Sequence, residues 1–512
     1  IFADFFSNAG GDWYTTYFPQ PTFVSSRKYF CHVETSSYTV FDFTKDHLQI
    51  EIWQLPVTVK IYCAESWQDL FAKMTSVLGR QPEIPEWTLD GAILGIQGGT
   101  QIMLEKTEKM RNKGLKIAGV WIQDWEGKRV TTFGRQLMWN WQYSEELYPN
   151  LPKTIEELQK EDVRVLGYIN PFLALEGNLY TEASSKGFLV KNTNGDEYHV
   201  VVTTFPAAIV DLTNPLACEW LKNVIKKNMI GIGLSGWMAD YGEYLPTDAA
   251  VHSGESAELV HNKFPVLWAK VNYEAVKESQ KNDIVYFMRS GYTGSARYTP
   301  LYWNGDQLVN WSKDDGLASV IPATLSLGMS GVAFTHSDIG GYTTLAKNVP
   351  DMIKTVRSKE LFLRWTELAA FMPVMRTHEG NWPDENWQFD SDEETIEHFV
   401  RMTELHRKLK NYFLKCAHEY YKSGLPIIRP LFLHYHESLC YSEQYEFLVG
   451  RDILFCPVLE KDVKEINVYL PDDLWIHYWT GKEYYGGEYR ISAPVGKPAF
   501  FIRKEGEKPW KD

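Results

Sequence analysis

Cysteine is scarce in this chain: six among 512 residues (Cys31, Cys63, Cys218, Cys416, Cys440 and Cys456), scattered and without a CxxC pair. That excludes a disulfide scaffold and points to no structural zinc site. His434-Tyr435-His436 sets two imidazoles at alternate positions, but no third ligand goes with them, so no metal is assigned. No apolar run reaches the roughly 18 residues of a membrane span. Positive charge is also in short supply. The 52 Lys and Arg against 66 Asp and Glu leave a net charge of -14, with no basic stripe of the kind that binds nucleic acid. No GxGxxG or GxxxxGK[ST] follows any predicted strand, which counts against nucleotide chemistry. At 44% hydrophobic and 23% charged the chain is too apolar for disorder. What it has in excess is aromatics: 19 Trp, 29 Tyr and 26 Phe, which suit a large core and stacking on the C–H faces of sugars.

Residues 1 to 85 carry short alternating runs such as Tyr29-Phe30-Cys31-His32-Val33 and Val57-Thr58-Val59-Lys60-Ile61-Tyr62, a β-module closed by the Pro-punctuated linker Gly79 to Pro85. From 86 to 425, apolar runs alternate with amphipathic segments. The runs begin at Ala92, Ile117, Val163, Gly236, Ile284, Leu301, Gly331 and Pro373. Two helix starts are marked, a capping box at Thr154-Ile155-Glu156-Glu157 and an Asn214 cap followed by Pro215. Eight buried strands with helices between most of them predict a (β/α)8 barrel rather than an open doubly wound sheet. From 426 to 512 the chain returns to short strands and Gly turns, predicting a second β-module. The fold class expected is α/β, a TIM barrel flanked by N-terminal and C-terminal modules of β-sandwich type. The chain opens Ile1-Phe2-Ala3-Asp4, no targeting signal is read there, and the cytoplasm is the default expectation.

Barrel chemistry sits where strands end at the C-terminal face. Asp240 directly follows Gly236-Trp237-Met238-Ala239, and Asp306 ends Tyr302-Trp303-Asn304-Gly305-Asp306. Asp338, Arg289 and His378 stand after three further strands. Carboxylates and an Arg at neighbouring strand ends, bracketed by Trp and Tyr, suit recognition of a polyol through bidentate hydrogen bonds and stacking. Trp125, Trp139, Trp237, Trp303 and Tyr342 are the aromatics in or beside these segments.

The runs Gly236 to Glu243, Trp303 to Gln307 and His336 to Tyr342, with Gly95-Ile96-Gln97-Gly98-Gly99 and Thr377-His378-Glu379-Gly380-Asn381, resemble glycoside hydrolase family 31, and within it the bacterial sulfoquinovosidases. The resemblance implies a retaining exo-α-glycosidase for terminal α-linked glucose-type sugars, of the sulfoquinovosyl glycerol or diacylglycerol kind, working without a cofactor or metal. It implies Asp240 as nucleophile and Asp306 as general acid/base. Arg289, Asp338 and His378 match sugar-binding positions, and Asp124 lies near the same pocket. It also implies that more β-module precedes Ile1. The partner expected is a small-molecule glycoside; the oligomeric state is left open.

One position departs from the resemblance. Of the residues that match the substrate-recognising set, Gln97, Gln123, Trp139 and Tyr342 agree, whereas Gln136 stands where that group has an Arg that helps bind the sulfonate. An amide donates hydrogen bonds but supplies no charge, and a charge-assisted bond is roughly twice as strong as a neutral one. Arg135 is adjacent and is kept as a candidate for the anion, although neighbouring residues face different ways. The alternatives are an α-glucosidase or α-galactosidase for a neutral sugar, and a non-catalytic glycan binder on a glycosidase fold.

Overall fold

The computed structural model describes residues 15–131, 134–202, 204–346 and 354–506. The opening residues, at which no targeting signal was read, lie outside them.

At the centre a parallel sheet closes on itself. Its strands are Ala92–Gly95, Ile117–Trp121, Arg164–Ile169, Gly236–Ala239, Val285–Met288, Leu301–Trp303, a seventh in two pieces (Thr335–His336 and Asp338–Ile339), and Met375–Thr377. The seventh is interrupted at Ser337, so its first piece pairs with Leu301–Trp303 and its second with Met375–Thr377. The eighth strand returns to the first through Met375↔Ala92, which completes the barrel. These strands are buried on both sides, which is why they read as continuous Val/Ile/Leu/Trp runs rather than alternating ones. The seventh and eighth lie a few residues later than the apolar runs at Gly331 and Pro373. The most apolar residues there lead into the strands, and the strands themselves are polar because they carry the site.

Helices follow most strands, including Thr100–Asn112, Leu151–Lys160, Pro215–Asn228, Phe264–Glu278 and Lys359–Ala369. Asn214 caps its helix by accepting from the Leu216 N–H at 3.0 Å. The helix predicted to start at Thr154 begins earlier, at Leu151, because Pro152 occupies its first turn. After the fifth strand only a 3-10 turn, Ser295–Arg297, intervenes.

The N-terminal module pairs Thr22–Ser25, Tyr29–Glu34 and Thr58–Cys63, with a separate hairpin of Thr39–Asp42 and Gln49–Ile52. A helix not read from the sequence, Trp67–Leu78, follows; the Ser66 hydroxyl caps it by accepting from the Asp69 N–H. Its apolar face shares a core with Leu425 and Leu433 of the C-terminal module, so the two ends of the chain brace each other against the barrel. The C-terminal module is built on a six-stranded antiparallel sheet whose longest strand, Glu465–His477, shifts register between Leu470 and Leu474.

Gln81 fastens the N-terminal linker to the barrel. Its Oε1 accepts from the Ala333 and Phe334 N–H groups at 2.7 and 2.9 Å, and its Nε2 donates to the carbonyls of Thr299, Pro300 and Phe334. The side chain thus satisfies backbone groups at the start of the sixth and seventh strands. Gln81→Ala leaves two buried N–H donors without acceptors, at a cost of about 1–3 kcal/mol for each group. The expected result is an unfolding midpoint in urea clearly below that of the unsubstituted protein.

Candidate active site

The fourth strand delivers Asp240 into the mouth of the barrel. The Asp240 N–H still bonds to the Ile169 carbonyl at 2.8 Å, continuing the ladder, and the chain then turns sharply. Tyr241 has φ of 58° and Gly242 φ of 113°. The first is left-handed for a bulky residue, a strained conformation that persists only when its surroundings impose it. They do so here: Trp268 Nε1 donates to the Asp240 carbonyl at 3.1 Å and the Ser290 hydroxyl to the Tyr241 carbonyl. A Cβ on Gly242 would lie 2.7 Å from the Ser290 hydroxyl, so the turn has no room for a side chain. The Asp240 carboxylate accepts from the Tyr168 hydroxyl at 2.6 Å and from the Tyr241 N–H at 2.7 Å.

Arg289, at the end of the fifth strand, gathers three carboxyl groups. Its NH1 donates to Asp306 Oδ2 at 2.6 Å, and its Nε and NH2 donate to Glu243 Oε1 at 3.0 and 2.7 Å. Its Nε lies 3.4 Å from Asp240 Oδ1. The guanidinium is held between the rings of Tyr17 and Tyr241, 4.5 Å from each centroid. Burial raises the Asp306 carboxyl to about 7; Arg289 pulls it down, and the charge of Asp240 pushes it up again. Burial raises Glu243 as well, with Arg289 opposing. Glu243 lies in the run that marked Asp240, but only the structure shows it holding Arg289. Tyr17 has no sequence signal; the segment carrying it docks on the barrel with Phe18 against Tyr302, 5.1 Å between centroids.

A second buried guanidinium organises the seventh and eighth strands. Arg376 pairs with Asp338 and donates from Nε to His336 Nε2 at 2.9 Å; His336 Nδ1 in turn donates to the Tyr302 carbonyl at 2.9 Å. Burial and Arg376 hold His336 far below the usual imidazole range, so it is neutral. The Asp338 carboxyl therefore spends one oxygen on Arg376, and its other oxygen has no hydrogen-bond partner among the described residues. His378 is neutral for the same two reasons, burial and then Arg376. Its Nδ1 accepts from the Gly380 N–H at 2.8 Å, which leaves the proton on Nε2 as a donor. Its ring lies 4.7 Å from that of Tyr342. Burial raises the Tyr342 phenol, and the charges of Asp306 and Asp240 add to the shift, so it stays a neutral hydroxyl facing the same carboxyl groups. Trp237 is not with them: it donates to Asn272 Oδ1 on the helix Phe264–Glu278 and stacks on Tyr286, because alternation along the strand turns it outward.

Over the second and third strands a hairpin, Lys128–Thr131 with Gly134–Leu137, crosses the mouth of the barrel, and the Arg135 N–H reaches the Asn381 carbonyl at 3.2 Å. Gln136 is buried; Trp139, with φ of 52°, stacks on Phe172 at 5.1 Å. Gln97 and Gln123 meet through Nε2 and Oε1 at 3.3 Å. Arg135 turns the other way from Gln136 and pairs with Asp384 on the rim at 2.9 Å. Asp124 is fully buried, accepting from the Tyr148 hydroxyl and from the Gly98 N–H, so its carboxyl braces the loop that carries Gln97. A further brace is Glu379, which accepts from the Gln97 N–H at 3.0 Å and pairs with Lys106 at 2.6 Å.

The comparisons with known proteins agree with this geometry. Residues 81–415 match the model for the glycosyl hydrolases family 31 TIM-barrel domain, and residues 424–506 match that for the glycosyl hydrolase family 31 C-terminal domain. The chain is 51% identical over 508 residues to the sulfoquinovosidase of Escherichia coli (strain K12), covering 99% of this chain and 74% of that one. It is 45% identical over 509 residues to the sulfoquinovosidase of Agrobacterium fabrum, covering 98% and 76%. A solved family 31 sulfoquinovosidase from E. rectale, in complex with the aza-sugar inhibitor IFGSQ, superposes with a TM-score of 0.95 at 48% identity, covering 99% of this chain and 76% of that one. A barrel with this strand order, carboxyl groups at these strand ends and these matches make the chain a member of glycoside hydrolase family 31.

Proposed function

We propose that the protein is a retaining exo-α-glycosidase that hydrolyses α-linked sulfoquinovosides. The observation that carries the reading is the near full-length similarity, at 51% and 45% identity, to two sulfoquinovosidases, together with Asp240 and Asp306 on one buried Arg. Asp240, held by Tyr168 and the Tyr241 N–H, attacks the anomeric carbon while Asp306 gives its proton to the leaving oxygen. The glycosyl ester that forms removes the charge of Asp240. With that charge gone Asp306 becomes more acidic, takes a proton from the incoming water, and the ester is cleaved with the anomeric configuration retained. His378 Nε2–H and the free oxygen of Asp338 serve as hydroxyl partners for the sugar. Gln97, Gln123, Gln136, Trp139 and Tyr342 form the wall for its C6 substituent. A pure glycan binder has no use for two carboxyl groups held apart in protonation, so that reading is set aside.

Three outcomes are expected. Asp240→Asn loses about a thousandfold or more in kcat, in line with the removal of a nucleophile, while circular dichroism and sugar binding stay close to those of the unsubstituted protein; near-native turnover would sink the assignment. Because Asp306 sits at about 7 and must be protonated for the first step, kcat/KM declines as pH rises through about 7, approaching tenfold per unit on the alkaline side. A flat profile from pH 6 to 9 argues against Asp306 as the acid. The ratio of kcat/KM on an aryl α-sulfoquinovoside to that on the matching aryl α-glucoside exceeds one. A ratio below one favours the neutral-sugar reading, which the Gln at position 136 supports.

A further inference from the structure

A sulfonate in a largely buried site needs a compensating charge, and Gln136 has none. Arg135 lies on the opposite face of the hairpin from Gln136, where it meets Asp384 on the rim, so its direction and not the strength of that exposed pair sets it aside. Across the hairpin ladder the residue directly paired with Gln136 is Arg129. Cross-strand partners in an antiparallel pair present their side chains on the same face, so Arg129 and Gln136 share one. The Arg129 guanidinium covers the Phe205 ring at 4.1 Å, Phe205 lies 4.7 Å from Trp139, and Arg129 NH2 donates to the carbonyl of Met138 at 3.2 Å. Its Nε–H is buried and has no acceptor among the described residues. An orphaned charged donor beside a recognition wall is costly to keep unless a ligand supplies the missing acceptor.

Among the described residues, the acid that pairs with this guanidinium is Glu176, whose Oε1 lies 2.5 Å from NH2. The Glu176 side chain is 49% exposed, and a pair with one half-solvated member is weak enough to exchange. Glu126, a nearby acid, is buried with no hydrogen-bond partner for either oxygen among the described residues, and desolvation raises it well above the usual carboxylate range. Burial thus works against a second carboxylate beside Arg129, and Glu176 is the partner that a ligand would have to replace.

We propose that Arg129, exchanging Glu176 for the ligand, supplies the positive charge that recognises the anionic C6 substituent, with Gln136 contributing a neutral hydrogen bond beside it. The inference rests on the sulfoquinovosidase reading above. It makes Arg129 a specificity-determining residue reached across the hairpin rather than along it.

The test measures the sulfoquinovoside-to-glucoside ratio of kcat/KM in variants of the full chain. Arg129→Gln is expected to lower the ratio about tenfold or more, the scale of one charge-assisted hydrogen bond. Glu176→Gln, which removes the competing negative charge, is expected to raise it, and Gln136→Arg added to Arg129→Gln is expected to restore most of the loss. A scaffolding role for the Arg129–Glu176 pair predicts that both single variants shift the ratio the same way or leave it alone, and either result overturns the proposal. If Arg129→Gln fails to fold, Glu176→Gln decides alone: a ratio unchanged or lowered overturns it. A loss confined to Lys128→Gln assigns the charge to that neighbour instead and also overturns it. A ratio below one in the unsubstituted protein overturns the sulfoquinovosidase reading and Arg129 with it, whereas a high ratio that Arg129→Gln leaves unmoved overturns Arg129 alone.

Discussion

The guanidinium of Arg289 sits in the barrel mouth facing Asp240, Glu243 and Asp306 with almost no water around it, and one positive charge cannot neutralise three carboxylates in such a place. At least one proton has to stay. The Asp240 carboxyl group accepts from Tyr168 and the Tyr241 N–H, while burial acts on Asp306 and Glu243 against their anions. On the proposed reading, nucleophile and acid share one cluster in which positive charge is too scarce to ionise every carboxyl group. Lengthening the site by a second cation would ionise Asp306 and remove the acid, so the restraint on charge is as much a part of the chemistry as the carboxyl groups are.

The barrel bears the cost of that cluster. Arg289 and Arg376 are both buried cations, and each is faced by aromatic rings: Tyr17 and Tyr241 for the first, Trp121 and Phe287 for the second, at 4.6 and 4.8 Å. Ring faces attract a desolvated guanidinium without adding a titratable group, so they stabilise it without disturbing the protonation on which the acid depends. Arg376 then fixes Asp338 and keeps His336 and His378 neutral. Neutral imidazole suits hydroxyl recognition, because it can donate and accept without placing another charge near the anomeric carbon.

The barrel was legible in the sequence because fully buried parallel strands leave long apolar runs and because helix caps such as Asn214 act locally. Asp240 stood out because it follows such a run directly, and Asp306 because it lies three residues beyond the end of another. What escaped depends on contacts far apart along the chain. Glu243 stands three residues after Asp240, yet nothing local says that it grips Arg289. Tyr17 reaches the site from a different module, some 270 residues away from the Arg that it covers. Trp237 was read toward the pocket from proximity alone, and strand alternation turned it to the helix layer. The helix Trp67–Leu78 was hidden by the β-rich runs before it, since its stability comes from an apolar face packed on Leu425 and Leu433 and not from propensity.

Net charge says little about the pocket. The total is -14, but exposed charges more than about 8–10 Å away are largely screened at physiological ionic strength. Inside the mouth of the barrel only groups within a few ångströms count, and there the burial of Glu126 and the exposure of Glu176 matter more than the many surface acids. The hairpin carries Lys128, Arg129 and Arg135 within eight residues, each paired with a different acid: Asp124 in the floor, Glu176 at the side and Asp384 on the rim. Substituting Gln for Arg at position 136 removes a formal charge from a site that still has three cations on its supporting ribbon. Selectivity for an anionic sugar then depends on which of those pairs opens most cheaply, and the pair whose cation faces the same way as Gln136 is the one best placed to do so.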